Sequence, residues 1–132
     1  MRRVFADTFY FLALLNKRDE AHSKAIALSS QIEKLVTSEW VFTELADGLA
    51  SSRHRKMFVE TRNELLSDAD AQVIPFENQL YEDGIALFHN RADKEWSLTD
   101  CISFVLMKRE SIVDALTGDH HFEQAGFAAL LK

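Results

Sequence analysis

Five short apolar runs alternate along this chain with longer stretches whose apolar residues recur at helical spacing. The runs are Arg3–Ala6, Leu35–Thr37, Gln72–Pro75, Ser111–Leu116 and Phe127–Leu131. Between them, Phe9–Leu15, Glu20–Leu35, Glu39–Ser51, Lys56–Ser67, Asn78–Asn90 and Thr99–Arg109 predict helices, and a short helix follows Thr117-Gly118-Asp119. Strands separated by helices cannot pair as tight hairpins, so the alternation predicts crossover connections and a parallel sheet. One Pro and four Gly leave little room for a meander of tight turns. The expectation is an α/β fold in one domain, residues 1–132. Val41, Phe42, Leu45, Ala46 and Leu49 form one apolar stripe, and Leu80, Ile85, Leu87 and Phe88 are expected to be buried. Thr99–Arg109 is apolar on nearly every side, which predicts a buried helix.

Charge narrows the function. Fifteen Lys and Arg against 21 Asp and Glu give a formal charge of −6. This balance argues against holding nucleic acid by bulk charge alone. It leaves open an enzyme that cuts nucleic acid at an acidic, metal-loaded site. A single Cys excludes an internal disulfide framework and a Cys-rich zinc site. Met1-Arg2-Arg3 ahead of Phe9–Leu15 has the outline of a signal peptide, but Asp7 interrupts it and Asn16-Lys17-Arg18-Asp19 offers no small-residue cleavage site. The longest apolar run is far below the ~20 residues of a membrane helix. A soluble, cytoplasmic protein without a membrane partner is expected.

Open parallel sheets gather their functional groups outside the carboxyl ends of the strands. Asp7 follows the first predicted strand, Asp119 follows Ser111–Leu116, Asp100 opens the buried helix and Glu44 lies in the helix after Leu35–Thr37. Four acids on one rim would repel one another and suit a hard divalent cation. Each also has a purely structural explanation. Ser97-Leu98-Thr99-Asp100 fits a capping box, Asp7 and Asp119 stand where helix caps are wanted, and Glu44 could be a solvated surface acid. Spacing alone leaves both explanations open.

Four segments carry a family resemblance. Val4-Phe5-Ala6-Asp7-Thr8 with Phe9–Leu15 resembles the opening of PIN domains. Thr37-Ser38-Glu39-Trp40-Val41-Phe42-Thr43-Glu44-Leu45 resembles their second motif, and Trp96–Phe104 the third. Ala115–Phe122 with Ala125-Gly126-Phe127 resembles the last. The motifs occur in the family's order over nearly the whole chain, most like stand-alone VapC-type toxins. The resemblance implies a three-layer α/β/α sandwich around a mainly parallel sheet. It also implies a ribonuclease dependent on Mg²⁺ or Mn²⁺, with Asp7, Glu44, Asp100 and Asp119 at the family's acidic positions. Thr8, Ser97 and Thr99 would orient carboxylates or bound water. A cognate antitoxin and a homodimer are implied as partners beside the RNA substrate. An RNA-processing nuclease outside any toxin pair, or a PIN-like module that binds RNA or protein without cutting, are the alternatives. Under the first two, water attacks the phosphodiester and leaves a 5′-phosphate and a 3′-hydroxyl.

The remaining residues refine this picture. Arg53, Arg55 and Lys56, with Arg62, could guide RNA phosphates, or simply form a solvated helix connection. Trp40, four residues before Glu44, could stack on a base or be partly buried, and Trp96 carries the same two options. His120 and His121, beside Asp119, are expected as surface turn residues, with a transition-metal role as the alternative, and Cys101 as a packed core thiol. Asp114 is expected as a buried, hydrogen-bonded acid. An enzyme with Asp7 as phosphoryl-accepting nucleophile is a rival, but Phe9 stands where such a phosphohydrolase needs a second Asp. A phosphotransfer receiver would want a Lys after a late strand, where this chain has Thr117-Gly118-Asp119. Assigning four acids to one site leaves −2 on the rest of the molecule.

Overall fold

The computed structural model describes residues 3–132. Met1 and Arg2, part of the basic start considered above, lie outside the described residues. The elements run β1 (Arg3–Ala6), α1 (Thr8–Leu15), α2 (His22–Ser29), β2 (Lys34–Ser38), α3 (Glu39–Gly48), α4 (Arg55–Ser67) and β3 (Ala71–Ile74). They continue α5 (Asn78–Asn90), α6 (Leu98–Arg109), β4 (Asp114–Leu116), α7 (His120–Gln124) and β5 (Ala128–Ala129). All strand pairs are parallel, in the order β3-β2-β1-β4-β5. The chain builds outward from β1 through β2 to β3, then returns to place β4 on the other side of β1. The β1/β4 junction is therefore the switch point of the sheet, where side chains beyond the strand ends face an open crevice.

Both faces of the central strands are covered, so β1 is wholly apolar beyond Arg3, and Val4, Phe5 and Ala6 are fully buried. Phe5 packs near Phe122, and Phe104 meets both Trp96 and Phe122 edge to face. The helix over Leu98–Arg109 is buried on most sides, as its composition predicts. It packs closely on α5 because Gly84 faces it without a side chain. A Cβ at Gly84 would lie 2.4 Å from Ile102 Cγ1 and 3.2 Å from Ile102 Cα. Gly84→Ala should therefore lower stability by about 1–3 kcal/mol, although alanine is normally the better helix former by up to ~1 kcal/mol. Denaturant unfolding measures this, and a gain in stability would refute the close packing.

Several boundaries differ from the sequence expectations. The helix expected over Glu20–Leu35 is confined to His22–Ser29. Ser29 and Ser30 donate their hydroxyls to the carbonyls of Ile26 and Ala27, and Lys34 is already paired with Arg3 across the sheet. The strand expected at Ser111 starts only at Asp114, because Ser111 and Ile112 close α6. Ser111 takes φ 56°, its N–H bonds Lys108 O, and Ile112 N–H reaches back to Met107 O at 2.9 Å. That is a Schellman closure with serine in the glycine position and the buried Ile112 beyond it. The last strand is only Ala128–Ala129. Phe88 is exposed: Leu80, Gly84 and Leu87 define the inner face of α5, and Phe88 lies about 80° round from Leu80. Asp114 is half-buried at the start of β4, not sequestered as expected. Among the described residues no helix is long and apolar enough to cross a membrane.

Candidate active site

Asp7 leaves β1 in extended conformation and N-caps α1, yet its side chain makes no cap bond. The carboxylate is turned to β4 instead, where Oδ2 accepts the Thr117 hydroxyl at 2.9 Å. Thr117 is fully buried, and its Oγ1 also accepts the Asp119 N–H at 3.1 Å. One hydroxyl thus ties the acids at the ends of two adjacent strands across the switch point. Gly118 permits this turn to pass under Phe9, since a Cβ there would lie 2.5 Å from the ring. Asp119 N-caps α7 through Oδ1, which accepts the His121 N–H at 2.9 Å.

Asp100 completes the expected capping box. Ser97 Oγ accepts the Asp100 N–H at 3.0 Å, and Ser97 N–H donates to Asp100 Oδ2 at 3.3 Å. The structural and functional explanations of this acid are therefore not exclusive: the cap holds the carboxylate in place. Glu44 is half-buried, not solvated, and accepts the hydroxyl of Thr8, the residue after Asp7. Thr8 donates its hydroxyl to Glu44 and Ser97 its backbone N–H to Asp100, whereas Thr99 is half-buried and makes none of these contacts. Thr117 was not among the expected supporting residues. Its signal was present in the sequence, as a small hydroxyl at the strand end two residues before an acid.

The four acids share one electrostatic environment. Burial drives the Asp7 carboxyl up to about 7, and the Asp100 and Glu44 charges add to the rise against the Thr117 hydrogen bond. Burial also raises Glu44 and Asp100, and Asp119 pushes both further up. Among the described residues no Lys or Arg forms an ion pair with Asp7, Glu44, Asp100 or Asp119. The His121 ring, 3.2 Å from Asp100, pulls that carboxyl down in part, and an oxygen-rich set without a Lys or Arg partner fits a hard divalent cation. The fit is looser for direct ligation of one ion by all four acids. Among the described residues only Asp119, His120 and His121 bring three ligand atoms within 4.8 Å of one another.

The other expected residues fall elsewhere. Arg53 lies in the turn before α4 and Arg55, Lys56 and Arg62 on that helix; all are exposed and none contacts the four acids. Arg55 donates to the Ala50 carbonyl, and Lys56 lies 3.8 Å from Glu60. Trp40 is half-buried against Phe76 and Tyr81. Trp96 is buried, donates to Gln124 and carries the Arg91 guanidinium over its ring. Cys101 is buried in the core as expected. His121 departs from expectation: it is half-buried, with Nδ1 3.2 Å from Asp100 Oδ2.

A parallel α/β sandwich with coupled carboxylates beyond its central strands is a definite structural class. The chain belongs to the PIN domain family, which it matches over residues 4–128. Among solved structures, it resembles VapC20 of Mycobacterium tuberculosis, described as a sarcin–ricin loop cleaving toxin. The two are 26% identical with a TM-score of 0.86, over 95% of this chain and 96% of that one. VapBC2 of Rickettsia felis, bound to a promoter DNA fragment, matches at 15% identity and a TM-score of 0.67, over 98% and 97%. FitAcB of Neisseria gonorrhoeae matches at 18% and 0.65, over 98% and 95%. Both of these lower-identity likenesses concern the fold alone. No curated protein matches the chain in sequence.

Proposed function

We propose that this chain is a metal-dependent endoribonuclease and the toxin of a type II toxin–antitoxin pair. The observation that carries this is the convergence of Asp7, Glu44, Asp100 and Asp119 at the switch point without a pairing Lys or Arg. Similarity to VapC20, a toxin described as cleaving the sarcin–ricin loop, supports RNA as the substrate class. A toxin–antitoxin complex from Klebsiella pneumoniae, 17% identical, shares the fold and suggests an antitoxin partner. A homodimer is part of the same proposal.

Asp7, Glu44, Asp100 and Asp119 would hold Mg²⁺ or Mn²⁺, directly or through water. When bound, such an ion activates water and offsets the charge of the phosphate. The protein's own part is positional. Thr117 and Thr8 each fix one oxygen of Asp7 and Glu44, and Ser97 fixes Asp100. The water oxygen forms a new bond to phosphorus while the bond to the 3′ oxygen breaks, and that oxygen takes up a proton. The products are a 5′-phosphate and a 3′-hydroxyl.

Incubating the purified chain with structured RNA tests this. Cleavage is expected with Mg²⁺ or Mn²⁺ and not with EDTA, with 5′-phosphate ends. Ends bearing a 2′,3′-cyclic phosphate would refute hydrolysis by water. RNA binding without cleavage under any divalent metal would make the chain a binding module.

A further inference from the structure

We propose that Asp119, His120 and His121 form a second site for a borderline divalent transition metal of the zinc type, overlapping the acidic rim through Asp119. The three residues are consecutive, and the turn into α7 brings their donor atoms together. His121 Nδ1 lies 3.4 Å from Asp119 Oδ1, and His120 Nδ1 lies 3.7 Å from the same oxygen. Asp100 Oδ2 stands 3.2 Å from His121 Nδ1, at hydrogen-bond distance and outside the group of three donors. Ligands ~2.1 Å from a tetrahedral zinc ion are separated by about 3.4 Å. The two spacings to Asp119 Oδ1 lie at and slightly above that value. The two imidazole rings are 4.5 Å apart and inclined at 53°, so they are not stacked face to face. His120 is exposed and Asp119 and His121 are half-buried, which leaves an ion a way in.

Donor chemistry sets the selectivity. Two imidazoles with carboxylate oxygen suit zinc, nickel or copper, whereas Mg²⁺ prefers oxygen alone and keeps its water. Asp7 and Glu44 contribute no donor to this set, so it differs in composition from the all-carboxylate group. The proposal rests on donor geometry and holds whatever the nucleic-acid substrate is.

Zinc binding by the metal-free full chain, in competition with a chromophoric chelator and without RNA, tests it. One Zn²⁺ per chain is expected, not displaced by millimolar Mg²⁺. His120→Ala and His121→Ala should each weaken Zn²⁺ at least tenfold, whereas His89→Ala, an exposed histidine on α5, should change it less than twofold. Co²⁺ substituted into the wild-type chain should give a visible absorption band that both histidine variants lose. Melting curves of the metal-free variants confirm that they are folded. Unchanged zinc affinity in both folded histidine variants, or displacement by millimolar Mg²⁺, would overturn the proposal.

Discussion

Replacing Asp7 or Asp100 with asparagine is expected to abolish metal-dependent RNA cleavage while leaving the fold intact. Asparagine keeps the size and one carbonyl oxygen but removes the charge. In Asp7→Asn, Thr117 can still donate to the amide oxygen, so the local hydrogen bond at 2.9 Å has a replacement acceptor. The loss should exceed the 10–100-fold that follows from removing residues that only orient metal ligands. Thr117→Val supplies that comparison. It removes the hydroxyl that spans Asp7 and Asp119 and keeps the buried volume, so its effect should fall within about 10–100-fold. Initial rates under excess metal, beside circular dichroism of each variant, measure the ladder. Wild-type cleavage by both folded Asp variants would show that the site lies elsewhere.

The second large effect is on stability without metal. Burial and the neighbouring acids raise the Asp7 carboxyl from 3.8 to about 7. Between those values the folded chain keeps a proton that the unfolded chain has released. The folded state is therefore favoured below about pH 4, and this advantage is lost as pH rises towards 7. Glu44 and Asp100 are raised too and act in the same sense. Asp7→Asn removes the largest cost. In EDTA the variant should match wild type near pH 4 and become more stable as pH rises, by at most about 4 kcal/mol above pH 7. Mg²⁺ should recover the wild-type protein at neutral pH and do much less for Asp7→Asn. Thermal melts across this pH range are the measurement. A variant less stable than wild type at pH 7.5 in EDTA would contradict the account.

The alternation of apolar runs and helical stretches was enough to foresee a parallel sheet, because five strands separated by helices leave few other pairings. Asn78–Asn90 is helical over the expected bounds. The misplaced edges depend on interactions that periodicity does not encode. The serine pair that ends α2 uses side-chain hydroxyls, and the Ser111 turn uses a left-handed residue that is not glycine. Phe88 shows that a bulky apolar residue can lie off the buried face when a glycine marks its centre.

The site was legible in part. Asp7 and Asp119 followed from their places at strand ends, because sheet order sets where strand ends meet. The cap formed by Ser97 and Asp100 was readable as a local pattern, but the contact of Asp100 with His121 depends on tertiary packing. Glu44 was ambiguous because only the packing of α1 against α3 brings Thr8 to it. The contacts of Thr117 to Asp7 and of His121 to Asp100 were missed for the same reason: those partners are remote in sequence. The charge of −6 is now divided between a coupled group of four acids and a remainder near neutrality. An acidic total and an RNA substrate are compatible once those four charges are met by divalent cations.

The most direct measurement is a parallel Mg²⁺ titration of the whole chain, reading metal binding by calorimetry and RNA cleavage by initial rate. The account predicts that the two curves rise together and that Asp7→Asn loses both. Cleavage that persists in EDTA, or that survives in an Asp7→Asn chain unable to bind Mg²⁺, would contradict it.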